Sequence, residues 1–368
     1  MPIMESAPGA ETIFDGKRYL YFAGTGYYGL QGHPEVIEAA YQAMLRYGIA
    51  SGTSRGGFGD NPPTREVERL AAAYFGAEDA FYFVSGYIGN TILAQYFRDA
   101  YDVAFVDESA HYSVYDALKI AGRPIVKFAH RDAEDLAAKL ESELAPGQRP
   151  LLMTDSVFPS FGRISPLDQY LRALEAYPNA LLCVDDAHAT GTIGANGRGS
   201  FEHFGLKSDK VGLYFATTLS KAIGGQGGVI VGSREFIADL KRSSQLYNGA
   251  SQPSVPVAAA TAKSLELVMA HPEQFRERLW KNVKHFRDGL RKLGLEVEDS
   301  PVPIINIELE SAEKMQQMQA ALYERGIAVA YFRTYSGIGP NGLIRIAIFS
   351  THTEEMIDRL LSEIASLL

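Results

Sequence analysis

The chain has 368 residues and a mass of 40.3 kDa, longer than one ordinary domain. Hydrophobic residues at 46% and charged residues at 21% exclude bulk disorder. A formal charge of -9 with no run of Lys or Arg excludes a general nucleic-acid binder, and the single cysteine, Cys183, forbids an intramolecular disulfide. No apolar stretch reaches membrane-span length. The first residues, MPIMESAPGAET, lack a basic segment followed by an apolar one, so no signal peptide is expected and the default is a soluble cytoplasmic protein.

Arg18 to Ala23 reads as a strand, and Pro34 to Leu45 as a helix with proline at its first position. Gly48 to Thr64 is rich in Gly, Ser and Pro and reads as a long loop of the functional kind. Strands and helices then alternate. Helical patterns cover Arg65–Tyr74, Gly89–Phe97, Ser113–Ile120, Ala133–Leu144 and Leu167–Tyr177. Apolar strand runs cover Ala80–Val84, Val103–Val106, Pro124–Phe128, Pro150–Met153, Ala180–Val184, Val211–Ala216 and Val229–Val231. Near-continuous apolar strands, each followed by a helix, indicate an α/β fold with a mostly parallel sheet covered on both faces.

Beyond Pro253 the rhythm changes. Val255 to Leu295 reads as mostly helical and long. Strands at Ile304–Leu309, Ile327–Tyr331 and Leu343–Ile348, with helices at Ala312–Arg325 and Thr353–Leu367, complete a smaller α+β domain. The expected division is an N-terminal segment over 1–45, a large domain over 46–253 and a small domain over 254–368.

Gly24-Thr25-Gly26-Tyr27-Tyr28-Gly29 matches GxGxxG after a strand, the pattern of a dinucleotide site. The context fails. The next helix starts only near Pro34, two bulky tyrosines sit where the helix should open, and no acidic residue lies about 20 residues on. A turn that lines a pocket is the better reading, and an NAD-dependent oxidoreductase rests on nothing else.

Three strand ends carry chemistry. Asp185 ends the strand LLCV and His188 follows it; Lys221 lies just after the strand GLYFAT; Ser85-Gly86 closes AFYFV. Ligands of parallel sheets bind beyond the carboxyl ends of strands, so these groups converge. A lysine among small residues loses solvation, its pKa falls, and the neutral amine can form a Schiff base. A carboxylate can keep a pyridinium nitrogen protonated, and a glycine-containing turn before a helix offers N–H groups to a phosphate. His111, after the strand VAFV, offers a flat ring for stacking. Singly, each has an ordinary reading as surface lysine, polar strand end, turn cap or plain turn. Together, in the order SG, H, DDAH, TTLSK, they meet the needs of pyridoxal 5'-phosphate (PLP).

The sequence resembles the α-oxoamine synthases among the fold-type I PLP-dependent enzymes, from about Tyr21 to the C-terminus. The blocks that carry the resemblance are FVSGYIGN, DESAHYSVYDA, VDDAHATGTIGANGRG, TTLSKAIGGQGGVIVGS and LIRIAIFSTHTEEMIDRLL. The resemblance implies that Lys221 holds PLP and moves protons at the substrate α-carbon. It implies that Asp185 pairs with the ring nitrogen, that His188 binds the ring hydroxyl and that His111 stacks on the ring. Ser85, Gly86, Tyr87, Thr218, Ser220 and Ser251 would hold the phosphate end, and Arg345 and Thr25 would serve substrate binding. No metal is implied. The implied reaction condenses an amino acid with an acyl thioester, acyl-CoA in the first instance, with loss of CO2. The implied assembly is a homodimer with shared active sites, in which Tyr247–Pro253 reaches the partner. The chain departs from the family pattern at Thr25, Pro159 and Phe161, where the family carries Asn, Ser and Asp. An aminotransferase or carbon–carbon lyase would share the lysine, aspartate and phosphate cup. A non-catalytic companion subunit is disfavoured because Lys221 is present.

Overall fold

The computed structural model describes residues 2–207, 212–334 and 337–368. Three sheets organise them. Strands β1 (Glu11–Phe14) and β2 (Lys17–Tyr21) form a hairpin near the N-terminus. The large sheet takes β3 (Asp79–Phe83), β4 (Val103–Asp107), β5 (Ile125–Phe128), β6 (Pro150–Asp155), β7 (Leu181–Asp185), β8 (Leu213–Thr218) and β9 (Gly228–Gly232) in the order β3-β9-β8-β7-β6-β4-β5. From β8 to β5 the neighbours are parallel, and β9 alone runs antiparallel, to both β8 and β3. Strands β4, β6 and β7 are buried at every position, as apolar runs flanked by helices on both faces must be. The start of the predicted strand at Val211 lies outside the described residues.

The remaining strands are β10 (Ile304–Ile307), β11 (Ile327–Ala328), β12 (Ala330–Phe332) and β13 (Leu343–Ala347). The single strand expected over Ile327–Tyr331 is two. β11 pairs in parallel with β2, while β12 pairs antiparallel with β13. The chain changes sheets at Val329, so the N-terminal hairpin and the C-terminal region share hydrogen bonds.

The long helix expected over Val255–Leu295 is also divided. One helix spans Val255–Ala270, and a second begins at Arg278 after one wide helical turn. Pro272 supplies no N–H, and the residue before a proline is disfavoured in helical geometry; His271 accordingly sits at φ -132° and ψ 57°. A helix over Arg234–Ser243 was not foreseen. No helix among the described residues is long and apolar enough to cross a membrane.

One buried charge cluster fixes the glycine-rich loop around residues 51–60. Glu68, on the helix Pro62–Phe75, accepts from Arg55 at 2.5 and 2.9 Å, from Lys241 at 3.1 Å and from the Tyr82 backbone N–H at 3.0 Å. Arg55 also meets Asp60 at 3.0 Å and lies over the Tyr247 ring. Removing one member of a buried, hydrogen-bonded ion pair strands the other. Glu68→Ala is therefore expected to lower unfolding free energy by about 3–5 kcal/mol, measurable by denaturant titration.

Candidate active site

The carboxyl edge of the large sheet gathers the polar groups. β6 and β7 are in parallel register with Asp155 opposite Asp185, so two carboxyl groups stand side by side at their ends. Asp185 is buried. Its Oδ2 accepts from Asn90 Nδ2 at 2.6 Å and its Oδ1 from the Ala187 backbone N–H at 3.0 Å. Asn90 is 1% exposed and also donates to Ser113 Oγ at 3.1 Å. That hydroxyl meets His111 Nδ1 at 2.7 Å, and the His111 backbone N–H donates to Asp155 Oδ2 at 2.8 Å. Sequence reasoning missed Asn90 and Asp155. Asn90 lies in the FVSGYIGN block, and its signal was an amide in the first turn after a strand-end glycine.

The electrostatics follow from burial. Burial, then the neighbouring Asp185, pushes the Asp155 carboxyl well above the carboxylate range. Burial lowers His111, against the pull of Asp185. His188 is pushed well below the usual histidine value by burial, then by the nearby cations Lys221 and Arg345, so its imidazole is neutral. Desolvation brings the Lys221 amine down to about 8, although Asp185 and Asp155 pull it upward.

Lys221 sits in the turn after β8. Its carbonyl accepts from the Gly224 N–H at 3.1 Å and from Gln31 Nε2 at 3.3 Å. The next residue, Ala222, lies against Gly191 of the VDDAHATG loop; a Cβ at Gly191 would fall 2.4 Å from the Ala222 methyl. Glycine at 191 therefore lets the lysine turn and the Asp185–His188 loop touch.

The expected phosphate end is assembled the same way. Ser85 Oγ accepts from the Tyr87 N–H at 3.3 Å in the turn after β3. Thr218 Oγ1 meets Ser220 Oγ at 2.7 Å at the end of β8. A Cβ on Gly86 would lie 2.5 Å from Thr218 Cβ, so the two turns are in contact. Tyr87 is exposed, donates to Asp116 Oδ2 at 2.5 Å and meets the His111 ring edge-on with centroids 6.0 Å apart. Ser251 is exposed and lines a cleft with Val84, Ile88 and Tyr247 on the flank of that turn.

Arg345, on β13, is buried and reaches the same region. Its Nε donates to the Pro159 carbonyl at 3.0 Å, Nη1 to the Gly24 carbonyl at 3.1 Å and Nη2 to Tyr27 Oη at 3.4 Å. No carboxylate lies within 4 Å of it among the described residues. A guanidinium has five N–H groups, so these bonds leave one on each terminal nitrogen for a further acceptor such as a carboxylate. The Thr25 carbonyl closes its turn by accepting the Tyr27 N–H at 2.9 Å. The residue of that turn whose side chain reaches Arg345 and His188 is Tyr27, not Thr25. The GxGxxG match is thus a turn presenting two buried tyrosines, Tyr27 and Tyr28. Phe161 packs beside His130, whose Nδ1 meets Asp107 Oδ1 at 3.0 Å.

A desolvated amine, a carboxylate fixed by an amide, two imidazoles held toward the neutral form and a cluster of hydroxyl and N–H groups form a donor set that fits PLP. The family model for aminotransferase class I and II matches residues 22–364. The chain belongs to the aminotransferase class I and II family. An 8-amino-7-oxononanoate synthase of Stutzerimonas stutzeri is 34% identical over 364 residues, covering 99% of this chain and 91% of that one. One from Thermosipho melanesiensis is 32% identical over 358 residues, covering 96% and 90%. A serine palmitoyltransferase of S. paucimobilis, solved with a bound PLP–myriocin aldimine, superposes with a TM-score of 0.92 at 26% identity, covering 100% of this chain and 92% of that one. Within the aminotransferase family the chain is an α-oxoamine synthase-type, PLP-dependent acyltransferase with the fold-type I architecture.

The lowered pKa of Lys221 sets a pH dependence. Its neutral, reactive fraction grows as pH rises, reaching half at about 8 and near completeness only about one to two units higher. The rate at which cofactor-free protein captures PLP, read by borohydride trapping and mass spectrometry, should rise with pH with its midpoint near 8 and level off above it. Asp185 raises the Lys221 pKa, so Asp185→Asn should move the midpoint to lower pH.

Proposed function

We propose that this aminotransferase-family enzyme condenses a small amino acid with an acyl-CoA to give an α-amino ketone, CoA and CO2. The observation that carries this reading is the placing of Lys221, Asp185 and the uncommitted fork of Arg345 in one electrostatic neighbourhood, on a chain that matches 8-amino-7-oxononanoate synthases along its full length.

When bound, PLP supplies an electron sink for a carbanion at the amino acid's α-carbon. The chain's own groups do the rest. Lys221 would hold the cofactor through its amine, and that amine when free would take the proton from the amino acid's α-carbon. Asp185, held by Asn90 and the Ala187 N–H, would keep a ring nitrogen protonated. His111 would offer its ring for stacking, and neutral His188 would offer an N–H to an oxygen acceptor. Ser85, Gly86, Tyr87, Thr218 and Ser220 would hold the phosphate. Arg345 takes the amino acid's carboxylate, with the Thr25 turn beside it.

The chain divides into an N-terminal segment over 1–45, a large domain over 46–253 and a small domain over 254–368, and it works in the cytoplasm. The assembly is a homodimer. Ile37, Tyr41, Met44 and Leu45 are exposed on one face of the helix Pro34–Tyr47, and Ile49 and Phe58 continue that apolar surface into the loop. Ser54 Oγ joins the loop to Asn248 of the Tyr247–Pro253 segment at 2.7 Å, so a second copy covering this face would bring Ser251 toward a shared site.

The test is a visible spectrum of the PLP-loaded protein titrated with glycine, alanine, serine and glutamate, followed by acyl-CoA and a free-thiol assay. One amino acid should shift the band, and CoA release should depend on it. Conversion to the pyridoxamine form without CoA release would make the enzyme an aminotransferase instead. Lys221→Ala should lower turnover by about 10²–10⁴-fold. Arg345→Lys keeps the charge but loses the fork. It should raise the amino-acid KM about tenfold, the loss of one charge-assisted hydrogen bond, with a smaller effect on the acyl-CoA KM.

A further inference from the structure

Tyr27 and Tyr28 belong to the glycine motif that the catalytic reading leaves without a role. Both side chains are fully buried, and both hydroxyls reach the VDDAHATG loop. Tyr28 Oη donates to the Gly191 carbonyl at 2.5 Å, and Tyr27 Oη lies 2.9 Å from His188 Nδ1. The Tyr27 carbonyl accepts the Ser350 N–H at 2.8 Å, so its backbone is fixed as well.

Donor and acceptor accounting decides the proton between Tyr27 and His188. A guanidinium can only donate, so the bond from Arg345 Nη2 at 3.4 Å occupies a lone pair of the Tyr27 oxygen. The one phenolic hydrogen then goes to the remaining neighbour, His188 Nδ1. Burial keeps that hydrogen in place, raising the Tyr27 phenol to about 12. The opposite arrangement, with Nδ1–H donating, would point two donors at one oxygen and leave the phenolic hydrogen without an acceptor in a buried site, which costs about 1–3 kcal/mol.

We propose that Tyr27 is a positioning residue that fixes His188 as the tautomer protonated on Nε2 only. His188 then presents an N–H to the reacting centre and cannot act as a base through that nitrogen. Arg345 contributes by orienting the hydroxyl of Tyr27, so the group expected to bind the amino-acid carboxylate also sets the donor role of the histidine. The inference rests on the functional reading for where His188 faces, but the tautomer is a property of the protein itself.

The test is ¹⁵N NMR of the PLP-loaded protein labelled at histidine, with His188 assigned by the signals lost in His188→Gln. In the wild type, Nε2 should carry the proton and Nδ1 should be a bare, hydrogen-bonded nitrogen. Tyr27→Phe keeps the buried ring and should shift His188 toward a mixture of tautomers or toward Nδ1–H. It should also lower kcat about 10–100-fold, as loss of an orienting partner does, with amino-acid affinity by spectral titration little changed. A wild-type His188 protonated on Nδ1, or a Tyr27→Phe spectrum unchanged at His188, would overturn the proposal. Should Tyr27→Phe fail to fold, judged by melting and by the emission of the single tryptophan, Trp280, the wild-type spectrum decides alone. If the protein turns over no acyl-CoA while His188 shows the expected tautomer, the proposed reaction fails and the positioning role stands.

Discussion

The site depends on a cost: charged and titratable groups are held out of water at the end of a sheet. β6, β7 and β8 are apolar along their lengths and polar at their last residues, so the sheet that forms the core also carries Asp155, Asp185 and Thr218 to one edge. Desolvation is the first cause of the shift at Lys221, His111, His188 and Asp155. It pushes amine and imidazoles toward neutral base and the carboxyl toward neutral acid. A neutral lysine is a nucleophile, a neutral imidazole is a donor with a defined tautomer, and a neutral Asp155 removes like charge from beside Asp185.

Two adjacent aspartates show how one strand end serves both chemistry and architecture. Asp185 turns to the site, where Asn90 holds it. Asp186 turns the other way, and its two oxygens accept the Ser200 N–H at 3.2 and 3.1 Å, closing the glycine-rich loop onto the strand. Burial lifts Asp186 to about 6 against those hydrogen bonds. Trp280 donates to the Thr192 carbonyl at 2.7 Å, and Thr192 Oγ1 to the His188 carbonyl at 2.6 Å, so the loop bearing His188 is also tied to the C-terminal helices.

Much of this was legible in the sequence because its signals are local. A buried strand announces itself as an apolar run, and candidate polar residues lie at its end or within a few residues beyond it; Asp185, Lys221, His111 and Ser85 were found that way. The large-sheet strands and most helices were readable for the same reason. Asn90 and Tyr27 were not, because their meaning lies in partners 95 and 161 residues away. The helix break at Pro272 was available in the sequence, since a proline after a histidine in a long helical pattern is itself the signal. The sheet change at Val329 was not available, because an apolar run does not say which of two sheets each half will join.

The departures from the family pattern gain a physical sense from Arg345. Where the family carries serine, Pro159 has no side-chain hydroxyl, but its carbonyl accepts from Arg345 Nε. Where the family carries asparagine, Thr25 belongs to a turn whose neighbouring Gly24 carbonyl accepts from Nη1. Both departures therefore lie beside backbone oxygens that orient the guanidinium, a contact any residue type can supply. Phe161 packs elsewhere, against the His130 ring and under the Arg163 guanidinium. Arg345 is therefore a buried cation with no carboxylate partner among the described residues, and backbone carbonyls fix its orientation in place of a counter-charge.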